Sequence, residues 1–162
     1  ELLRIYSDHF RKILDDQEIM DEGVHVRFIG QWEERFPDDL RRMLSVISEK
    51  TAGNDRYFLN FFLAYSGDAD MVEAFRKAVK ASMRPEDVTT ESVKSFLSTR
   101  DVAPVDLLIR TGGDPHLSAG LCMWETANAQ LFFSEKTYPD FGPAYLKEAV
   151  SDYSERERRL GK

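Results

Sequence analysis

Between Asp106 and Ser118 the chain changes character within a few residues. Three large apolar residues in succession, Leu107, Leu108 and Ile109, give way to Arg110, Thr111, Gly112 and Gly113, and then to Asp114-Pro115-His116-Leu117-Ser118. A short unbroken apolar run suits a parallel strand buried on both faces. In an open α/β sheet, ligands bind where strands end at their carboxyl edge, so a strand emptying into Arg-Thr-Gly-Gly is built like an anion site. Glycines at 112 and 113 allow positive φ and a close approach of backbone N–H groups. Arg110 adds a planar fork of donors that matches phosphate. The same residues also read as a tight turn beside a solvated arginine, and spacing alone leaves the two readings level.

The rest of the chain alternates between strand and helix patterns. Leu3, Tyr6, Phe10 and Ile13, with Leu2 and Leu14 beside them, recur at helical spacing and predict an amphipathic helix to about Asp21, stopped by Gly23. Wholly helical, that segment would run about 30 Å. So aromatic a face packs into a core; lining a tunnel for an apolar ligand is the sharper alternative. Val24 to Gly30 alternates and ends in glycine, as a strand leading into a loop does. Pro37 opens a helix with Asp38 and Asp39 in its positive first turn and Leu40, Met43, Leu44 and Ile47 as the buried stripe. Tyr57 to Tyr65, interrupted by Asn60, reads as a central parallel strand that exits through Ser66-Gly67-Asp68.

A helix from Asp70 onward takes Met71, Val72, Phe75 and Val79 as its inner face. Thr89-Thr90-Glu91 starts another helix, which continues through Val93, Phe96 and Leu97. Beyond Ser118, Leu121 to Trp124 with Ala127 predict a helix and Gln130 to Phe133 a short last strand. Tyr145, Leu146, Val150 and Tyr153 mark a closing helix with a charge-dense end. Strands alternating with helices imply an α/β fold, a mostly parallel sheet with helices on both faces. At 162 residues, with no composition shift or repeat, the chain is expected to form a single domain over residues 1–162.

The totals exclude several classes. A net charge of −7 argues against general nucleic-acid binding, which needs a basic face. No apolar run is long enough to span a bilayer. Cys122 is the only cysteine, so no internal disulfide forms; it lies in an apolar run, as a buried, inert thiol would, and the cytosol is the default compartment. The chain opens at Glu1 without a methionine and already inside a helical pattern, which leads us to expect residues before it.

Ala103-Pro104-Val105-Asp106-Leu107-Leu108-Ile109-Arg110-Thr111-Gly112-Gly113, the Leu117-Ser118 pair, Trp124 and Tyr138-Pro139-Asp140-Phe141 together resemble the carboxyl-terminal signature of the cis-prenyltransferases, the family of undecaprenyl diphosphate synthase. The closing Arg156-Glu157-Arg158-Arg159-Leu160-Gly161 resembles that family's terminal Arg-x-Gly motif. Val26 to Gly30, Thr51 to Asn54 and Asn60 to Tyr65 with Gly67 fall in its order. The resemblance covers the carboxyl-terminal two-thirds of the family pattern. It implies condensation of isopentenyl diphosphate onto an allylic diphosphate to give a cis-polyprenyl diphosphate, with Mg²⁺ as cofactor and a homodimer or a heterodimer with a related subunit. It also implies a cytoplasmic protein in peripheral contact with the membrane that receives its lipid product. By position, Arg110 and Ser118 would hold the diphosphate of isopentenyl diphosphate, Gly112 and Gly113 would shape the loop, and Arg159 and Gly161 would reach the phosphate site across the dimer. The first helix would line the product tunnel.

The chain departs from the family pattern in four places. The amino-terminal Asp-Gly-Asn block, whose aspartate binds Mg²⁺, is absent together with the first strands, so no catalytic residue falls in this chain and the chain alone is expected to be inactive. His116 replaces a second arginine on isopentenyl diphosphate. Gln130 stands where the family has a Mg²⁺-binding glutamate, with Glu125 nearby as an alternative, and an amide oxygen is a poorer ligand for a hard cation. Asp68 stands where an arginine usually follows the Tyr-x-Gly turn. Two other roles fit these departures: a non-catalytic partner subunit of a two-chain enzyme, or a diphosphate- or polyprenyl-binding module without turnover.

Overall fold

A computed structural model describes residues 1–156, which fall into two compact units, residues 1–99 and residues 100 onward. In the first, helix α1 (Leu2–Asp15) and the short α2 (Gln17–Asp21) lead into strand β1 (Val24–Ile29). The expected single helix to Asp21 is broken at Asp16. That residue is extended (φ −82°, ψ 106°), and its carboxylate accepts the Glu18 N–H at 3.0 Å. Aspartate competes for backbone donors in this way and so caps a new helix in place of continuing the old one. A short α3 (Trp32–Arg35) precedes α4 (Asp38–Thr51), which Pro37 caps from one residue outside the position expected for it. Strand β2 (Tyr57–Phe62) pairs in parallel with β1, in the register Arg27↔Asn60 and Phe28↔Phe61.

The core of this unit is Phe10, Val26, Trp32, Leu40, Leu44, Ile47 and Leu63. Phe28 and Phe61, partners across the two strands, stack with centroids 5.6 Å apart. Phe10 of α1 stands edge-on to both rings, at 5.2 Å from each. The aromatic face of α1 therefore packs into a core. A hollow of about 360 Å³ lies at the α1–α2 break, lined in part by Ile13, Leu14, Ile19, Met20 and Ile47. Thr51 couples α4 to β1: its hydroxyl donates to the Ile47 carbonyl at 2.9 Å and accepts the Val26 N–H at 3.0 Å, all buried. Asn60, the one polar residue in the β2 run, accepts a hydrogen bond from Arg27 Nε at 2.7 Å, and the Arg27 guanidinium lies 4.8 Å over the Phe58 ring.

Two expectations for this unit change. β2 is not a strand buried on both faces: among the described residues it pairs with β1 alone, and Tyr57, Phe58 and Leu59 are substantially exposed. Helix α5 (Gly67–Lys80) turns Gly67 and Ala74 inward, whereas Val72, Phe75 and Val79 are 48%, 57% and 77% exposed. The stripe is apolar as predicted, but no element among the described residues covers it. Helix α6 (Thr90–Phe96) packs on α5 and starts with a capping box between Thr89 and Ser92.

The second unit contains β3 (Leu107–Arg110) and β4 (Gln130–Phe133), again parallel, followed by α7 (Pro143–Glu155). Residues 121–128 form turns in place of the expected helix. Ala119 (φ +49°) and Cys122 (φ +47°) take left-handed backbone on either side of Gly120 (φ +59°), which prevents a regular right-handed helix from forming there. Cys122 is buried, as predicted.

The Thr51 bridge yields a stability test. Thr51→Val keeps the shape but strands the buried Val26 N–H, so denaturant unfolding should show a loss of about 1–3 kcal/mol, whereas Thr51→Ser should cost less. Equal stability of wild type and Thr51→Val would show that the bridge contributes nothing.

Candidate functional site

The predicted anion loop leaves β3 at its carboxyl end. Arg110 is the last residue of that strand and is in register with Phe133. The two chains stay zipped beyond the ladder: Ser134 N–H donates to the Arg110 carbonyl at 2.8 Å, Gly113 N–H to the Ser134 carbonyl at 3.0 Å, and Gly112 N–H to the Lys136 carbonyl at 2.7 Å. Both glycines have positive φ, +96° and +70°, as predicted. Their amides, however, are directed at main-chain carbonyls following β4 and so are not free to cradle a phosphate. The glycines serve the turn and the close approach of the two segments: a Cβ at Gly113 would lie 2.7 Å from the Glu135 carboxylate. The donors left open at this loop are side chains.

Three side chains converge. Arg110 Nε donates to the Asp114 carbonyl at 3.1 Å, and its Nη2 lies 3.4 Å from His116 Nε2. His116 Nδ1 lies 3.0 Å from an Asp114 carboxylate oxygen that is itself 4.0 Å from Arg110 Nη2, so the carboxylate stands close to both the ring and the guanidinium. The Arg110 side chain is 27% exposed and that of His116 48%, so the guanidinium is more sheltered than the imidazole. Ser118 begins a one-turn 3₁₀ helix (Ser118–Gly120), and its exposed hydroxyl makes no hydrogen bond among the described residues. Asp114 was not singled out from the sequence. Its placement four residues after Arg110 and two before His116 is the signal that could have found it.

The remaining predicted residues lie elsewhere. Gln130 is at the amino end of β4, opposite Leu107, three residues from the Arg110–Phe133 level and so about 10 Å along the strand. Its side-chain oxygen is buried and has no hydrogen-bond partner among the described residues. It is a single neutral oxygen, and among the described residues no group of three or more His, Cys, Asp or Glu side chains could hold a metal ion. Those residues do not by themselves fit a Mg²⁺ site. Glu125 is buried at 4% exposure within the turns of residues 121–128. Arg159 and Gly161 lie outside the described residues. Arg156, just ahead of them, donates to the Leu131 carbonyl of β4 at 3.0 Å and pairs with Asp152. In the first unit, Asp68 sits in the first turn of α5, its carboxylate accepting the Ser66 hydroxyl and, at 2.9 Å, the Ala69 N–H. That strand exit therefore presents an acid where an anion would require a base.

The sequence profile of the undecaprenyl diphosphate synthase family matches residues 1–161. The chain belongs to that family. An isoprenyl transferase of Porphyromonas gingivalis is 37% identical over 90% of this chain and 58% of its own length. The ditrans,polycis-undecaprenyl-diphosphate synthase of Pseudomonas putida, named as (2E,6E)-farnesyl-diphosphate specific, is 30% identical over 99% of this chain and 64% of its own. Among solved structures, lavandulyl diphosphate synthase from Lavandula x intermedia, in complex with dimethylallyl diphosphate, superposes with a TM-score of 0.88 at 29% identity, covering 99% of this chain and 70% of that one. A probable undecaprenyl diphosphate synthase of Campylobacter jejuni, 23% identical, shares the fold at a TM-score of 0.80, covering 98% and 72% of the two chains. The chain thus spans about three-fifths of the length of these curated relatives.

The zipped glycines have a measurable consequence. Gly113→Ala forces left-handed backbone on a residue with a Cβ and pushes that Cβ at Glu135. It should lower stability by about 1–2 kcal/mol in denaturant melts. An unchanged midpoint would show that the turn relaxes without cost.

Proposed function

We propose that this chain supplies the isopentenyl diphosphate site of a cis-prenyltransferase, which condenses isopentenyl diphosphate onto an allylic diphosphate to build a cis-polyprenyl diphosphate. The observation that carries this reading is the placement of Arg110 at the end of β3, with His116 against its guanidinium on a loop pinned to the segment after β4. A guanidinium at a strand's carboxyl end can take two diphosphate oxygens at once, and the zipped loop fixes its origin before the ligand arrives. The Ser118 hydroxyl is the further donor, already without an internal partner among the described residues.

Condensation releases the allylic partner's diphosphate, whereas the diphosphate of isopentenyl diphosphate stays on the product. The role of Arg110, His116 and Ser118 is accordingly to hold and orient the group that is not lost. The Pseudomonas putida relative is named for farnesyl diphosphate and the lavender enzyme holds dimethylallyl diphosphate, which supports a short allylic diphosphate as the second substrate. Mg²⁺, which the family resemblance brings with it, would need ligands beyond those described, and Arg159 and Gly161 would complete the phosphate site from the partner of a dimer. No helix among the described residues is long and apolar enough to cross a membrane, which is compatible with peripheral contact with the bilayer. A second reading, the non-catalytic subunit of a two-chain enzyme, is favoured by one observation, the neutral Gln130 at the position of the family's acidic ligand.

Two measurements test this proposal. In calorimetric titration, Arg110→Ala should weaken isopentenyl diphosphate binding roughly 10- to 100-fold, the loss of about 1.5–3 kcal/mol of charge-assisted hydrogen bonding; unchanged affinity would remove the assignment. Incorporation of labelled isopentenyl diphosphate by the full-length protein alone supports the enzyme. Incorporation only when a related subunit is added would establish the partner reading in its place.

A further inference from the structure

Charge does not balance on the β3 loop alone. Within residues 110–118 the one Lys or Arg is Arg110, and the Asp114 carboxylate lies 4.0 Å from its Nη2. On the segment after β4, the Glu135 carboxylate stands against Gly113 and adds a second negative charge. A diphosphate brings more negative charge still, and a single guanidinium does not neutralise the sum. The stretch zipped to the loop, residues 134–136, carries one cation of its own, Lys136.

Resting on the diphosphate reading above, we propose that Lys136 is a further ligand-binding residue of this site, whose ammonium leaves the Tyr145 ring to meet the diphosphate held by Arg110.

The Lys136 backbone is already in place for this. Its carbonyl accepts the Gly112 N–H at 2.7 Å, and its own N–H donates to the Ser134 hydroxyl at 3.2 Å. The Arg110 side chain reaches the far end of the same turn, donating from Nε to the Asp114 carbonyl at 3.1 Å. Both cations are therefore rooted at one turn, and the flexible four-carbon stem of lysine lets its ammonium be redirected. What holds that ammonium in the free protein is weak. It lies 5.5 Å from the centroid of the Tyr145 ring, on an exposed side chain with no carboxylate partner among the described residues. An exposed cation–π contact is weaker than a charge-assisted hydrogen bond to phosphate, so a bound diphosphate outcompetes the ring. Arg156, the cation that reaches β4 from α7, is by contrast already engaged by the Leu131 carbonyl and Asp152.

The test is calorimetric titration of isopentenyl diphosphate into the intact protein and its variants, with thermal melts to establish that each is folded. Lys136→Met should weaken binding roughly 5- to 20-fold, and Lys136→Arg, which keeps the charge, should retain most of the affinity. Tyr145→Leu frees the ammonium without removing it, so affinity should stay the same or rise up to about threefold. Wild-type affinity in Lys136→Met, with binding still dependent on Arg110, would overturn the role of Lys136 alone. An equal loss in Lys136→Met and Tyr145→Leu would show the pair to be a structural brace and would overturn it as well. Binding that is absent, or indifferent to Arg110, would overturn the diphosphate reading and the role of Lys136 with it.

Discussion

The candidate site depends on a main-chain zipper. Three N–H···O=C bonds past the end of β3 tie residues 110–113 to residues 134–136, and they fix where the Arg110 side chain leaves the backbone. Their cost is that the two glycine amides, the donors a phosphate loop would normally offer, are used internally. The side chains that remain at the loop are the Arg110 guanidinium, the His116 imidazole and the exposed Ser118 hydroxyl. Such a site selects by charge and side-chain geometry more than by a backbone cradle.

The two units carry unequal loads. The first has a conventional core in which an aromatic triad, Phe10 on the Phe28–Phe61 pair, welds α1 to β1 and β2 while Thr51 bonds α4 to β1. Yet its second strand and its fifth helix display apolar surface at Tyr57, Phe58, Val72, Phe75 and Val79. Area of this kind is unfavourable in water, at about 25 cal/mol per Å². In the second unit the loops, more than the strands, define the shape, and left-handed Ala119 and Cys122 hold the segment after Ser118 away from helix.

Much of this was legible in the sequence where one local cause sufficed. β4 spans Gln130 to Phe133 as predicted, and β1 ends at a glycine because a Cβ at Gly30 would come within 2.2 Å of the Leu63 carbonyl. Leu40, Leu44 and Ile47 are buried as the helical stripe required. What failed depended on distant partners or on single local contacts that leave no pattern in the sequence. Periodicity showed that α5 has an apolar face but not that no element among the described residues covers it. Glycine spacing at 112 and 113 showed a turn but not that carbonyls more than twenty residues on would claim the amides. The break at Asp16 turned on one carboxylate choosing the Glu18 N–H. The turns at 121–128 turned on positive φ at alanine and cysteine, which no composition signal announces. The family signature located Arg110 and His116; only the geometry brought the Asp114 carboxylate close to both.

The central claim is that side chains at the end of β3, and not the glycine amides, receive the diphosphate. A crystal structure of the protein with isopentenyl diphosphate bound is the most direct measurement. The account predicts phosphate oxygens on the Arg110 guanidinium and on His116 Nε2, with Gly112 and Gly113 still bonded to Lys136 and Ser134. A diphosphate seated on the two glycine amides with those bonds broken, or bound elsewhere with Arg110 still on the Asp114 carbonyl, would contradict it.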